Sequence, residues 1–322
     1  MTFEEALSLV NQKVSDIQFP KQPPRLYDPI VYLLAMKGKK IRPTLTLLAH
    51  NLYKEDVKGA INMALAWEIF HNFTLMHDDV MDKADIRRGE PTVHKKWNEN
   101  TAILSGDAML ILAYKQILKI PEPYLRELLD LFSTTAIEIC AGQEYDMQFE
   151  NRLDVREEEY LNMIRLKTAV LLGAALKSGA ILGDADMSDQ NRLYDFGINM
   201  GMAFQIQDDF LDVYGDPVLF GKKIGGDILC NKKTYLLVSA LNTEKEQDKS
   251  ELLQWLNTDD QPDEKIKAIT DIYNRLFLKD KARSLMKSYY QNALCLLREL
   301  NLPAEKTEVL MNFTKELMYR QL

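Results

Sequence analysis

The sequence predicts an all-α fold, a single large helical domain over residues 1–322, and three observations predict it. Apolar residues recur at helical rather than alternating spacing along most of the chain. Glycine is sparse, at 14 residues, and no convincing strand run interrupts the pattern. Apolar residues make up 46% and charged residues 27%, the profile of a globular protein with ample material for a core. No linker, low-complexity tract or fixed-period repeat divides the chain, which argues against a solenoid.

The elements follow in order. Thr2 with Glu5 fits a capping box opening the first helix. Pro20, Pro23 and Pro24 break it, and a second helix starts at about Leu26. From Asp56 to Asp82 runs a long, mostly apolar helix ending in DDVMD. The polar stretch DKADIRRGEPTVH separates it from a helix that reaches about Leu118 and closes at Pro121 and Pro123. Helical spacing resumes from Tyr124 to about Asp146, and Asp154 with Glu157 suggests a cap for a helix running to about Leu182. Another helix begins near Asp189 and ends in DDFLDVYG. Residues 215–232 are the most glycine-rich and loop-like stretch, and amphipathic helices with breaks near Asn257 to Pro262 and at Pro303 complete the chain.

A net charge of −8 argues against a nucleic-acid partner held by a basic surface. Three widely spaced cysteines, Cys140, Cys230 and Cys295, suit a reducing compartment better than a disulfide framework. The acidic start MTFEEALSLVNQ and the lack of any membrane-length apolar run lead to the expectation of a soluble, cytoplasmic protein.

Two segments share one arrangement: Asp78, Asp79 and Asp82 in DDVMD, and Asp208, Asp209 and Asp212 in DDFLD. Positions i and i+4 lie on one helix face, so the first and last aspartates of each motif point together. Like charges so placed cost about 0.2–0.5 kcal/mol per pair unless something positive binds. Mg²⁺ fits that need, since it typically takes one or two carboxylates and fills its remaining sites with water and substrate phosphates. The four histidines, His50, His71, His77 and His94, have no zinc-type spacing with cysteine.

Cations surround these motifs in the sequence. GKKIRP places Lys39 and Arg42 three apart at a helix start, where the helix itself favours anions. Arg87 and Arg88 follow DDVMD closely, and arginine grips phosphate with two parallel donors. Lys167 lies in the apolar helix RLKTAVLLGAAL, and Lys222 and Lys232 flank the glycine-rich loop. Singly, each has an ordinary structural reading: a surface lysine, or for His71 a satisfied core histidine. It is the conjunction that points to diphosphate chemistry.

As an ordered set, the motifs resemble the trans-isoprenyl diphosphate synthases, the farnesyl and geranylgeranyl diphosphate synthase (polyprenyl synthetase) family. The resemblance runs from about Tyr27 to Lys233 and more weakly to the C-terminus. It implies an isoprenoid synthase type fold with a central cavity. It also implies condensation of isopentenyl diphosphate with an allylic diphosphate (dimethylallyl, geranyl or farnesyl), and a homodimer. GKKIRP resembles the GKxxRP element, so Lys39 and Arg42 are expected to bind isopentenyl diphosphate together with His71 and Arg88. In both acidic motifs the six aspartates are expected to hold Mg²⁺, three ions per active site when the diphosphate is bound. Arg87, Lys167, Thr168, Gln205, Lys222 and Lys232 are expected around the allylic diphosphate, and Gln143 and Asp146 match a GQxxD element. Lys37 and Asn231 depart from the family pattern where glycine is often found, without touching a proposed ligand.

The implied reaction is ionisation, condensation and elimination, with Asp78, Asp82, Arg87, Lys167, Thr168, Gln205 and Asp208 as its catalytic residues. Released pyrophosphate would take the proton, since no side chain is an obvious base. Phe73 lies five residues before Asp78, about 7.5 Å along a helix axis. With Thr74 beside it, it is expected to form the floor that sets product length, giving geranylgeranyl ahead of farnesyl diphosphate. Two alternatives are a terpene cyclase, which needs no isopentenyl site, and a non-catalytic subunit of a heteromeric synthase, which typically loses an acidic motif.

Overall fold

The structure, a computed structural model, describes residues 1–216, 224–258 and 260–319. It is all-α: 77% of the residues are helical, and among the described residues the only strands form one two-residue hairpin. Sixteen α-helices are described. They are α1 (Phe3–Ser15), α2 (Pro24–Ala35), α3 (Ile41–Asn51), α4 (Ile61–Met81), α5 (Val93–Lys96), α6 (Glu99–Ile117), α7 (Glu122–Glu150) and α8 (Glu157–Ile164). They continue as α9 (Val170–Leu182), α10 (Met187–Tyr214), α11 (Gly226–Leu229), α12 (Tyr235–Leu241), α13 (Glu246–Leu256), α14 (Pro262–Arg275), α15 (Leu278–Arg298) and α16 (Ala304–Tyr319). The hairpin pairs β1 (Ile86–Arg87) with β2 (Glu90–Pro91) inside the polar stretch after DDVMD.

Local sequence explains most boundaries. Glu5 N–H donates to Thr2 Oγ1 and Thr2 N–H to Glu5 Oε2, the capping box expected of α1. The long run after Asp56 is a 3₁₀ turn (Val57–Ala60) followed by α4. Asp186 caps α10 by accepting from the Asp189 N–H at 2.8 Å. The cap expected from Asp154 and Glu157 is corrected: Arg152 takes the Asp154 carboxylate at 2.9 Å, and Glu159 reaches back to the Arg156 N–H at 3.0 Å. The helix expected to run unbroken to Leu182 contains a π-turn at Arg165–Ala169.

The chain forms two compact units, Met1–Ser133 with Ala174–Leu193, and Thr134–Gly173 with Tyr194–Leu322. In the first, α4 packs along α6 and α3. Met63 to Phe70 are all buried, and all but Glu68 are apolar, the pattern of a helix enclosed on every side. Phe132 collects the rings of Trp67, Phe70 and Tyr114 at 5.0, 5.1 and 4.9 Å, and the Trp67 Nε1–H donates to Ser178 Oγ at 2.9 Å. In the second unit, Phe149, Tyr160, Ile206, Phe210, Leu236 and Ile272 form one apolar core. No described helix is long and apolar enough to cross a membrane.

One close approach fixes α10 in the second unit. A Cβ on Gly197 would stand 2.6 Å from the backbone N and Cα of Gly173 on α9. Backbone cannot swing aside as a side-chain tip can. Gly197→Ala is therefore expected to lower stability by about 1–3 kcal/mol or more, read by chemical denaturation; wild-type stability would remove the constraint.

Candidate active site

In the first unit the site is built on the end of α4. Asp82 N–H donates to Asp78 O at 2.8 Å, so helical geometry holds through the motif and the two carboxylates share a face. Asp82 is exposed and Asp78 half-buried. Asp79 is different: it is 2% exposed and gripped by Arg87, whose Nε lies 2.8 Å from both carboxylate oxygens and whose Nη2 lies 2.7 Å from one. The β1–β2 hairpin delivers that arginine. Thr92 closes its base, with Oγ1–H donating to Ala84 O at 2.7 Å and N–H to Asp85 O at 3.0 Å.

The same hairpin turns Arg88 back toward the GKKIRP segment through a left-handed backbone (φ 55°). Its guanidinium lies so close to Gly38 that a Cβ there would meet Nη1 at 2.8 Å. Lys40, also left-handed (φ 41°), opens α3. Arg42 stands in the first turn of α3 and donates from Nη1 to His71 Nε2 at 3.2 Å. Because arginine only donates, His71 is the neutral tautomer with its proton on Nδ1. Burial, then Arg42, Arg88 and Arg87, hold its pKa well below the usual histidine range. Burial lowers Arg42 to about 10, against the raising influence of Glu68. Lys39 is exposed.

Farther back on α4, the Phe73 ring contacts Phe70 at 5.6 Å and His77 at 4.8 Å. Thr74 Oγ1–H donates to His71 O at 2.8 Å.

The second unit carries the other acidic motif, at the end of α10. Asp208 is half-buried. Asp209 is 2% exposed and accepts from the Tyr160 O–H and, at 2.8 Å, from the Tyr235 N–H. Burial pushes its carboxyl up to about 7, opposed by those two donors. Asp212 is 7% exposed; its carboxylate accepts from the Asp227 N–H at 3.0 Å, and its backbone O from the Gly225 N–H at 2.7 Å. Burial, then Asp227, raise its pKa.

The π-turn supplies the next two groups. Lys167 Nζ lies 2.5 Å from Asp146 Oδ2 on α7, and Thr168 Oγ1–H donates to Gln205 Oε1 at 3.3 Å on α10. A π-turn adds a residue to one helical turn and so re-aims the side chains around it. Lys232 sits 3.7 Å from Asp227; burial would lower its pKa, but Asp227, Asp209, Asp146 and Asp208 outweigh that and raise it. Asn231 adopts φ 51°, a left-handed position that asparagine tolerates where glycine would be at ease. Lys222 lies outside the described residues.

These geometries test the residues against Mg²⁺. Among the described residues no group of three or more His, Cys, Asp or Glu forms a metal cage. What α4 offers is a pair of carboxylates one turn apart, Asp78 and Asp82, while Asp79 is taken by arginine. That donor set suits an ion that takes one or two carboxylates and completes its shell with water and phosphate. Tyr160, Tyr235 and Asp227 were not legible as site residues, since their partners lie 49, 26 and 15 positions away.

The chain matches the polyprenyl synthetase family model over residues 23–273. It is 35% identical over 320 residues to a geranylgeranyl diphosphate synthase of Sulfolobus acidocaldarius, covering 97% of this chain and 96% of that protein. To a geranylfarnesyl diphosphate synthase of Natronomonas pharaonis it is 40% identical over 283 residues, 82% of this chain and 81% of the other. A crystal structure of a geranylgeranyl pyrophosphate synthase matches it with a TM-score of 0.94 at 43% identity, covering 100% of both chains. With the paired aspartates, the arginine–histidine contact and the π-turn lysine in place, the chain belongs to the polyprenyl synthetase family of trans-isoprenyl diphosphate synthases.

Proposed function

We propose that this enzyme, a short-chain trans-prenyl diphosphate synthase, condenses isopentenyl diphosphate with an allylic diphosphate and releases geranylgeranyl diphosphate as its main product. Farnesyl diphosphate is the second reading. The Arg42–His71 pair beside Arg88 is the observation that carries the condensation. A cyclase has no second diphosphate to seat and no use for a buried imidazole kept neutral among three arginines.

In this reading Lys39, Arg42, His71 and Arg88 seat isopentenyl diphosphate. Arg42 fixes the His71 proton on Nδ1, leaving that N–H as a donor. Asp78 and Asp82 in one motif, and Asp208 with Asp212 in the other, hold Mg²⁺, three ions in all. When bound, Mg²⁺ supplies positive charge where the departing diphosphate becomes more negative. Arg87 orients on Asp79, with Nη1 and the outer edge of the guanidinium left to meet the allylic diphosphate. Lys167, steadied by Asp146, and Lys222 and Lys232 are the further cations of the allylic diphosphate in this reading. Thr168 and Gln205, bonded to each other, present oxygens to the allylic cation. Asp79 and Asp209 act by holding Arg87 and Tyr160 rather than by ligating metal. The product is stopped by Phe73, and the enzyme works as a homodimer of single-domain chains.

Purified protein incubated with Mg²⁺, radiolabelled isopentenyl diphosphate and each allylic primer in turn tests the reading, with products sized by chromatography. EDTA is expected to abolish condensation. Asp78→Ala and Asp208→Ala are each expected to cut kcat by about 10² or more with an unchanged melting profile. Asp209→Ala is expected instead to lower stability by about 1–3 kcal/mol, because it strands the buried Tyr160 O–H and Tyr235 N–H. Near-normal turnover in either of the first two variants would remove the metal assignment. Phe73→Ala is expected to lengthen the product by at least one prenyl unit; an unchanged product would clear Phe73 of that role.

A further inference from the structure

The π-turn that carries Lys167 and Thr168 is met closely by two glycines that no step above uses. On α7, a Cβ at Gly142 would stand 2.3 Å from Lys167 N and 2.7 Å from Lys167 Cα. On α10, a Cβ at Gly201 would stand 2.5 Å from Ala169 Cα and 2.7 Å from Ala169 Cβ. All of these residues lie in the second unit. Glycine in the middle of a helix is less stable than alanine, so each position gives up stability for the close approach.

The register shows what that approach serves. One turn beyond Gly142 on α7 is Asp146, whose Oδ2 holds Lys167 Nζ at 2.5 Å. One turn beyond Gly201 on α10 is Gln205, whose Oε1 accepts from Thr168 Oγ1 at 3.3 Å. Positions i and i+4 share a helix face, so each glycine and the side chain one turn on meet the same π-turn. Close packing alone accounts for Gly197 against Gly173, where the residue one turn on is Gly201 and carries no side chain. Ordinary van der Waals contact begins at 3.4 Å, so a methyl at Gly142 or Gly201 forces the backbones about 1 Å apart. That shift takes the Lys167–Asp146 contact to the edge of hydrogen-bonding range and breaks the longer Thr168–Gln205 bond.

We propose that Gly142 and Gly201 are positioning residues: by letting α7 and α10 close on the π-turn, they fix Lys167 and Thr168 in the orientation that meets the allylic diphosphate. The proposal rests on reading those two residues as part of the allylic site.

Gly142→Ala is expected to lower kcat/KM for the allylic diphosphate roughly 10²-fold, the scale on which a misplacement of about 1 Å acts. The KM for isopentenyl diphosphate is expected to stay, since the groups assigned to that substrate are carried by the GKKIRP segment, α4 and the hairpin. In a Lys167→Ala background the same methyl is expected to cost little more, because its effect runs through the lysine. A loss of equal size in both backgrounds marks a general packing defect and overturns the role, as does a wild-type kcat/KM in Gly142→Ala. If Gly142→Ala does not fold, Gly201→Ala measured with and without Thr168→Ala decides by the same two comparisons. If neither folds, Ala169→Gly decides: it removes the methyl seated against Gly201, and a lowered allylic kcat/KM at constant isopentenyl diphosphate KM supports the clamp, while wild-type values overturn it. Lys167→Ala alone separates the two layers. Should it leave the allylic kcat/KM unaltered, the allylic site itself is misassigned and the proposal falls with it; should it lower that value while Gly142→Ala does not, only the role of the glycines falls.

Discussion

Burying a charge is costly unless an opposite charge or several donors meet it, and both acidic motifs are arranged around that constraint. At the end of α4 the middle aspartate, Asp79, is sunk into the first unit and answered by Arg87 through short contacts of 2.7 and 2.8 Å. At the end of α10 the equivalent Asp209 is answered by a phenol and a backbone N–H of the second unit. The two solutions differ chemically, yet the result is the same. The inner carboxylate pins its helix end to the body of the unit, while Asp78, Asp82 and Asp208 keep some exposure and Asp212 is buried against the Asp227 N–H. Motifs that read as three equal aspartates thus hold unequal carboxylates: Asp79 anchors the first, and Asp209 with Asp212 anchors the second.

The basic side obeys the same rule. Arg42 would be expensive beside Arg88 without a negative neighbour, and His71 relieves part of the strain by staying uncharged. An imidazole that accepted a proton here would add a further positive charge to three arginines. Burial and the three arginines therefore all favour the neutral ring.

How much of this was legible in the sequence depended on distance along the chain. The Thr2–Glu5 box is visible because both partners sit within one turn. The all-α fold follows from spacing alone, and the paired aspartates from i, i+4 geometry. The hairpin at Ile86–Pro91 was missed because two-residue strands have no period to detect. The fate of Asp79 required knowing that a hairpin returns Arg87 to it, and that of Asp209 required Tyr160, 49 residues earlier. Asp154 was misjudged for a similar reason: Arg152, only two residues away, competed for its carboxylate.

The π-turn at Arg165–Ala169 has a consequence for which way its side chains can face. An ordinary helix links the phase of every residue to its neighbours, so a side chain cannot be turned without turning the rest. One extra residue in a single wide turn uncouples them. Leu166 and Ala169 stay in the interior while Lys167 and Thr168 look elsewhere. The wide turn thus re-aims a charged and a hydroxyl side chain while the residues on either side of them stay seated in the core.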